Sequence, residues 1–188
     1  ILSRRLEAIG NIHSDVRPIL GLDCHDLLAI TLDACPEAIY VPAHIWTPHF
    51  SLFGAFSGFD TIEECYEELT PQVHALETGL SSDPSMNRRL SALDSFHLIS
   101  NSDAHSPAKL GREANLFDIP MSYDGLYGAI QRGEGLAGTI EFFPEEGKYH
   151  FDGHRKCHLC LSPSQARQYN GICPVCGKKL TTGVLHRI

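Results

Sequence analysis

The chain has 188 residues, of which 43% are hydrophobic and 20% charged, a composition typical of a globular protein and unlike that of a disordered segment. It contains no run of 18 apolar residues and does not open with a signal-peptide pattern, so we expect a soluble, cytoplasmic protein with no membrane partner. The net charge of −8 is unevenly distributed, because residues 1–153 carry 9 basic and 23 acidic side chains whereas residues 154–188 carry 6 basic and no acidic ones. A basic tail on an acidic body predicts an acidic partner for the tail and cations for the body, although the tail could also be an ordinary solvated segment.

Helical and strand-like segments alternate along the first 143 residues. The opening residues, ILSRRLEAIG, have the pattern of the middle of a helix, so we expect the chain to be a fragment of a longer protein. The other predicted helices cover 23–35, 61–70, 87–96 and 122–133, and the predicted strands cover 38–44, 74–79, 97–105 and 135–143. This alternation predicts an α/β domain with parallel strands whose carboxyl ends gather on one side. From about residue 144 the sequence becomes polar and rich in turn residues, which is typical of a linker.

Three of the predicted strands carry ionisable side chains toward their carboxyl ends: His44, Glu77, and the pair Asp103 and His105. In FHLISNSDAHSP (96–107) the aspartate and histidine are two residues apart after an apolar run, so they share one face of an extended chain. A buried carboxylate is costly unless it is paired or bound to a cation. An Asp–His hydrogen bond in a turn is one interpretation. Four such groups at equivalent positions favour a metal centre, with Zn, Mn, Mg or Fe as the ion, that hydrolyses a phosphate ester.

Four of the seven cysteines form two C-x-x-C pairs, CHLC and CPVC. Cys157, Cys160, Cys173 and Cys176 are therefore predicted to hold one structural zinc ion in a tetrahedral four-thiolate site. His158 in place of one thiolate is the alternative. The remaining cysteines, Cys24, Cys35 and Cys65, are expected to be inert buried thiols.

Several of these motifs resemble those of a known superfamily. PAH (42–44), the glutamate of ALETG (75–79) and SDAH (102–105) resemble motifs of the PHP superfamily, named for polymerase and histidinol phosphatase. Longer strings are similar to endonuclease Q, a DNA-repair family: GNIHSDVRPILGLD, SNSDAHSPAKLGREAN and GTIEFFPEEGKYHFDGHRKC. The resemblance implies that residues 1–150 are the C-terminal portion of a distorted PHP-type βα barrel and that residues 151–188 form a zinc ribbon. It further implies an enzyme with a three-metal site that nicks DNA 5′ of deaminated or damaged bases.

The same resemblance implies metal-binding and catalytic roles for His44, Glu77, Asp103 and His105. The family's opening His-x-His strand, however, has no counterpart here, since NIHSD (11–15) has Asn11 where the first histidine is required. We therefore expect an incomplete metal cluster, and weak or absent activity, from this chain alone.

Contacts to DNA are predicted at two places. The loop WTPHFSLFGAFSGF (46–59) is rich in aromatic residues that could stack on an extruded base, and Trp46, His49, Phe50 and Phe53 are the candidates, with core packing as the alternative. Lys109 and Arg112 follow SDAH directly and could contact phosphates.

Three functions are consistent with these observations. A metal-dependent DNA endonuclease accounts for the metal ligands, the aromatic loop and the basic tail together. A phosphoesterase acting on a small phosphorylated metabolite accounts for the ligands only, and a non-catalytic nucleic-acid-binding module accounts for the tail only.

Overall fold

The computed structural model describes residues 1–13 and 19–188. Residues 14–18, which carry part of the GNIHSDVRPILGLD string, lie outside the described residues. The helices are α1 (Leu2–Ile9), α2 (Cys24–Ala34), α3 (Ile62–Tyr66), α4 (Pro84–Asn87), α5 (Tyr123–Arg132), α6 (Pro163–Gln168) and α7 (Val184–Arg187). The strands are β1 (Ala75–Glu77), β2 (His97–Ile99), β3 (Ala114–Phe117), β4 (Leu136–Ile140), β5 (Asp152–His154) and β6 (Leu159–Leu161). Among the described residues, no helix has the length and apolar character needed to cross a bilayer.

Local capping signals explain the helices that the sequence predicts well. The Asp23 side chain accepts a hydrogen bond from the His25 amide at the start of α2, and the Ser122 side chain accepts one from the Gly125 amide at the start of α5. Gly133 ends α5 in the left-handed conformation, at φ 74°. The predictions for α2 and α5 are confirmed, and these signals lie within a few residues of the helix ends. The predicted helical character of the opening residues is confirmed as well, although α1 has no side-chain cap.

Two of the predicted helices do not form over their predicted ranges. The segment 61–70 begins with a capping box but leaves the α-helix after Tyr66, and it continues as a 3₁₀ turn that contains Pro71. The predicted helix 87–96 is wrong, because α4 ends at Asn87 and this range then contains only a 3₁₀ turn over Ser91–Leu93. Both deviations place compact turns, rather than long helices, around the first sheet.

The described strands form three two-stranded sheets. β1 and β2 are parallel, with Glu77 opposite Ile99, as predicted. β4 is antiparallel to β3, a strand that the sequence pattern does not predict, and β5 is antiparallel to β6. The α/β class is therefore confirmed, whereas the C-terminal portion of a distorted PHP-type βα barrel stays a prediction.

The predicted strand 38–44 is wrong as a strand, although the segment runs alongside β1. The Glu77 amide donates to the Pro42 carbonyl at 3.2 Å, and the Ile45 amide donates to the Glu77 carbonyl at 3.1 Å. Between these two bonds the backbone leaves the extended conformation, because His44 has φ 33°. The segment thus delivers His44 beside the end of β1 without forming a regular strand.

Two apolar clusters hold the molecule together. The main one lies around β1 and β2, and Leu28, Ile45, Tyr66 and Leu76 are among its fully enclosed members. The second is small and lies within the cysteine-containing tail, where it comprises Leu161, Ala166, Cys173 and Leu180. Helix α7 returns to the body, since Val184 belongs to the main cluster and Arg187 Nε donates to the Phe53 carbonyl at 2.8 Å.

Candidate functional site

Three of the four predicted metal ligands border one cleft. His44, Asp103 and His105 line a cavity of about 520 Å³, together with the predicted phosphate contacts Lys109 and Arg112. We call this cavity the candidate cleft. The segment before the cysteine-containing tail completes its wall with Phe142, from the predicted strand 135–143, and with Glu146, Lys148 and Tyr149, which the sequence pattern had assigned only to a linker.

Both histidines of the candidate cleft have one ring nitrogen engaged by an oxygen. His105 Nδ1 lies 2.8 Å from the Asp103 carbonyl oxygen, and His44 Nδ1 lies 3.1 Å from Thr47 Oγ1. A carbonyl oxygen can only accept a hydrogen bond, so the His105 ring carries its proton on Nδ1. The Thr47 hydroxyl donates to the His49 carbonyl at 2.9 Å, so its oxygen can accept a hydrogen bond from a proton on His44 Nδ1. Each Nε2 then carries a free lone pair, the usual arrangement of a metal-binding histidine.

The backbone at the candidate cleft is held in a sparsely populated conformation. His44 and Asp103 both have positive φ, at 33° and 44°, although neither is a glycine. Such strain concentrates at functional sites, where surrounding contacts hold it in place. Here Arg112 supplies one such contact, because its Nε donates to the Ser102 carbonyl at 2.7 Å. Much of the Arg112 side chain therefore serves to hold the loop that carries Asp103.

The donor set of the candidate cleft suits a divalent metal, but it does not form a complete shell. Two imidazoles and a carboxylate are ligands that Zn²⁺, Mn²⁺ and Fe²⁺ accept. In the part of the chain that the structure describes, the ligand atoms of His44, Asp103 and His105 do not all lie within 4.8 Å of one another. These three residues would therefore bind different ions of a site with more than one metal, or share an ion with further ligands.

The fourth predicted ligand, Glu77, occupies a different position. Its side chain is 8% exposed and is not among the residues that line the candidate cleft. One carboxylate oxygen accepts from the His44 amide and the other from Asn101 Nδ2, each at 2.7 Å. Glu77 therefore lies behind the cleft wall.

Gly79 allows the His44 segment to approach β1. A Cβ atom at Gly79 would lie 2.6 Å from the His44 Cβ, and the backbone there has φ +72°. We expect Gly79→Ala to lower the free energy of unfolding by about 3 kcal/mol, since it combines left-handed strain with a clash. Gly21→Ala is the control, because Gly21 has φ +62° and no described residue lies within 4 Å of a Cβ atom placed there, so only about 1 kcal/mol of strain is expected. Urea unfolding measures both; equal losses would show that the approach of His44 is not tight.

Two further carboxyl groups are enclosed beneath the candidate cleft. Glu113 immediately precedes β3 and Glu141 immediately follows β4, and Ser100 Oγ donates to Glu141 Oε2 at 3.1 Å. One oxygen of each carboxyl group, Glu113 Oε2 and Glu141 Oε1, is buried and has no hydrogen-bond partner among the described residues. Burial, reinforced by the negative charge of Glu141, raises the pKa of Glu113 to about 7.

This raised pKa predicts a pH-dependent stability. The folded state binds a proton at Glu113 more tightly than the unfolded state, where the pKa is near 4.5, so the stabilising contribution is complete below pH 4.5 and is lost as the pH rises through about 7. Glu113→Gln, which imitates the neutral form, should flatten the decline in unfolding free energy over this range. A remaining slope of the same sign is expected from Glu141, whose pKa burial also raises. Urea titrations at several pH values test this, with the exposed Glu145→Gln as the control; identical slopes for Glu113→Gln and the wild type would contradict it.

The aromatic loop is divided between the core and the surface. Trp46 and Phe53 are 5% and 2% exposed and pack against each other with ring centroids 5.1 Å apart, which favours the core-packing alternative for these two residues. The Trp46 indole N–H also has a partner inside the protein, Asn87 Oδ1 at 2.7 Å. His49 and Phe50 are exposed, and His49 stacks on Phe56, an exposed ring that sequence reasoning did not single out.

The cysteine-containing tail holds the second candidate site. One ligand atom from each of His154, Cys157, Cys173 and Cys176 lies within 4.8 Å of all the others. Tetrahedral zinc with sulfur ligands at about 2.3 Å needs comparable spacing. Desolvation and the neighbouring thiols raise the pKa of Cys157 to about 11, so this side chain needs a bound cation to become a thiolate at neutral pH. The group fits a structural zinc ion.

Cys160, the predicted fourth thiolate, does not belong to this group, and His154 takes its place. In the β5–β6 pair His154 is opposite Leu159, while Cys160 is opposite Gly153. Directly opposed residues share a face and neighbours along a strand alternate, so Cys160 points to the other side of the ribbon from His154. The H-x-x-C spacing of His154 and Cys157 was the available signal.

Two solved structures share this fold over nearly the whole chain. A lesion-specific endonuclease from Pyrococcus furiosus matches 99% of the chain with a TM-score of 0.77 and 29% identity. A complex of an endonuclease with a 27-mer duplex, which has an abasic lesion at the active site, matches 98% with a TM-score of 0.81 and 29% identity. The fold is therefore one that DNA endonucleases use. Both structures are endonuclease Q, so the predicted resemblance to the endonuclease Q family is confirmed.

Curated relatives extend the similarity to other organisms. An uncharacterised protein of Methanocaldococcus jannaschii is 31% identical over 182 residues, and one of Bacillus subtilis is 31% identical over 154 residues. The chain spans 22% and 38% of the length of these proteins, and 46% of each solved endonuclease chain. No protein-family model matches the chain.

Proposed function

We propose that the full-length protein is a metal-dependent DNA-repair endonuclease that hydrolyses the phosphodiester 5′ of a deaminated or otherwise damaged base. The observation that carries this proposal is the match to a lesion-specific endonuclease over 99% of the chain at 29% identity. The candidate cleft supports it independently, because His44, Asp103 and His105 offer nitrogen and carboxylate ligands in one cavity.

The residues of the candidate cleft have separate roles in this proposal. His44 and His105 would bind metal through Nε2, and Asp103 through its carboxylate. A divalent metal there, whether Zn, Mn, Mg or Fe, supplies a Lewis acid for the phosphodiester and lowers the pKa of water. Arg112 holds the Asp103 loop by its hydrogen bond to the Ser102 carbonyl.

DNA would be held by the rim of the candidate cleft and by the basic tail. Lys109 is exposed at the rim and is free to reach a phosphate, and Lys148 lies on the same cleft. His49 and Phe50 remain the candidates for stacking on an extruded base, because their rings are exposed.

The two parts of the chain have different tasks in the proposal. Residues 1–150 form the metallohydrolase body, a portion of a PHP-type barrel, and residues 151–188 form a zinc module. The separate apolar cluster of the tail supports this division, and the return of α7 to the main cluster anchors the module on the body. Because the zinc group has no open position, its role is structural.

The proposal is tested with the full-length protein, Mn²⁺ and four duplexes that carry uracil, hypoxanthine, an abasic site or no lesion. Nicking of the lesion-bearing duplexes alone is the expected result. Turnover of phosphorylated metabolites without nicking would indicate the small-molecule phosphoesterase instead. Salt-sensitive DNA binding without cleavage would indicate a binding module.

A further inference from the structure

The carboxylate of Glu77 is enclosed by donors that come from two segments of the chain. His44 donates its backbone N–H to Oε2, and Asn101 donates its side-chain amide to Oε1, both at 2.7 Å. Glu77 ends β1 and Asn101 follows the end of β2, so the carboxylate bridges the ends of two parallel strands. Hydrogen bonds to an ionised acceptor are short and about twice as strong as neutral ones.

The bridge continues to a third segment. Asn115 in β3 donates through Nδ2 to Asn101 Oδ1 at 3.1 Å and accepts from the Ser100 amide at 2.8 Å. This second contact fixes which way the Asn115 side chain faces, since its oxygen must accept and its nitrogen must donate. Asn101 is fixed in turn, with its oxygen toward Asn115 and its nitrogen toward Glu77. Both neighbours of the Glu77 side chain, the His44 N–H and the Asn101 amide nitrogen, are therefore donors, so both terminal atoms of the side chain at position 77 must be acceptors.

These contacts join the two sides of the candidate cleft. His44 is on one side, and Asp103 and His105, which follow Asn101, are on the other. Glu77 touches the backbone of the first side and the side chain of the second, yet it does not line the cavity. A residue in this position can set the distance between His44 and the Asp103–His105 pair without itself contacting a metal ion in the cleft.

We infer that Glu77 is a positioning residue, in place of the metal-ligand role predicted from the sequence. Its carboxylate holds the His44 backbone against Asn101 and so sets the distance from His44 to Asp103 and His105. The inference rests on the proposed function only in requiring that the candidate cleft binds a divalent metal.

An exchange of side chains separates positioning from ligation. Glu77→Gln places an amide NH₂ group against another donor, either the His44 N–H or the Asn101 amide nitrogen. The Asn101 side-chain amide cannot exchange its oxygen and nitrogen positions to relieve this, because its oxygen would then lose the hydrogen bond from Asn115. Adding Asn101→Asp restores complementarity. The amide oxygen introduced at position 77 accepts from the His44 amide, and the amide nitrogen beside it donates to one oxygen of the carboxylate introduced at position 101. The other oxygen of that carboxylate accepts from Asn115. The double exchange keeps the total charge, but it removes the carboxylate from position 77.

Mn²⁺ affinity of the full-length protein and hydrogen exchange of the His44 amide in the metal-free protein are the two measurements. Glu77→Gln should weaken Mn²⁺ binding by about 10- to 100-fold, the usual effect of losing an outer-shell partner, and should expose the His44 amide. The double variant should recover most of both. Asp103→Asn, a ligand variant, is the control that should lose Mn²⁺ and keep the His44 amide protected.

A double variant that is folded and binds Mn²⁺ no better than Glu77→Gln would overturn the inference, as would unchanged affinity in Glu77→Gln itself. If Glu77→Gln does not fold, Asn101→Ala removes one donor only, and unchanged affinity in that variant overturns it as well. Recovery by the double exchange in a protein that nicks no DNA would remove the proposed nuclease function and leave the inference intact. A protein that nicks lesion-bearing DNA, but whose double variant does not recover Mn²⁺ affinity, would overturn the inference about Glu77 and leave the proposed nuclease function intact.

Discussion

Cys173→Ser is expected to release the zinc ion and to unfold the zinc module. Cys173 is 1% exposed, contributes its sulfur to the four-residue group and also belongs to the small apolar cluster of the tail. A module of this size has few other sources of stability, and a structural zinc ion supplies on the order of 10 kcal/mol of folding free energy. Zinc content by mass spectrometry of the native protein and the thermal transition of the module are the measurements.

The control for this prediction is the cysteine that the structure places outside the group. Cys160→Ser should keep one zinc ion and an unchanged transition, whereas His154→Ala should lose the ion as Cys173→Ser does. Loss of zinc from Cys160→Ser together with full retention in His154→Ala would restore the four-thiolate site predicted from the sequence. Because both residues lie on the same two-stranded ribbon, a general destabilisation would affect the two variants alike.

The features predicted correctly from the sequence are those determined over a few residues. Helix α5 carries its own start at Ser122 and its own end at Gly133, and neither depends on the rest of the chain. The pairing of β1 with β2 was also predictable, since two apolar runs separated by a helical segment form a parallel crossover. The resemblance to a family came from long strings of residues and did not depend on these details.

The errors arise where distant segments decide the outcome. The apolar segment 38–44 is typical of a strand, but contacts with Glu77 bend it at His44. Strand β3 has only four residues, and its pairing with β4 depends on the turn and helix between them. The same limit applies to the zinc ligands, because H-x-x-C and C-x-x-C are equivalent in spacing and only the β5–β6 register chooses between His154 and Cys160.

The ligand assignment of the candidate cleft shows the same division. Asp103 and His105 do border one cavity, but not through the extended chain that the prediction assumed, because β2 ends at Ile99 and Asp103 has φ 44°. Glu77 occupies the equivalent position at the end of β1, but the His44 amide and Asn101 already use both of its oxygens. A pattern of acidic residues at strand ends identifies the region of a site, whereas the hydrogen-bond partners identify the role of each residue.

Asp103→Asn is expected to abolish lesion-dependent nicking while DNA binding changes little. The substitution keeps the shape of the side chain and removes the charge that a divalent metal requires. Loss of several kcal/mol of transition-state stabilisation corresponds to a fall in nicking rate on the order of 10³-fold. DNA affinity comes mainly from phosphate contacts by basic residues, which the substitution leaves in place. Single-turnover cleavage and equilibrium binding on the same abasic duplex give the two values.

The loop that carries Asp103 should keep its conformation in Asp103→Asn, so a loss of nicking can be attributed to the carboxylate itself. Its backbone is held by Arg112 through the Ser102 carbonyl, while the carboxylate makes a long contact of 3.8 Å with His105 Nδ1. Asp118→Asn makes the same change of charge at an exposed position outside the candidate cleft and should leave both values unaltered. Parallel losses of binding and cleavage in Asp103→Asn would indicate a structural role for the carboxylate. An unchanged unfolding free energy in the metal-free protein, combined with lost cleavage, would place its effect on the metal.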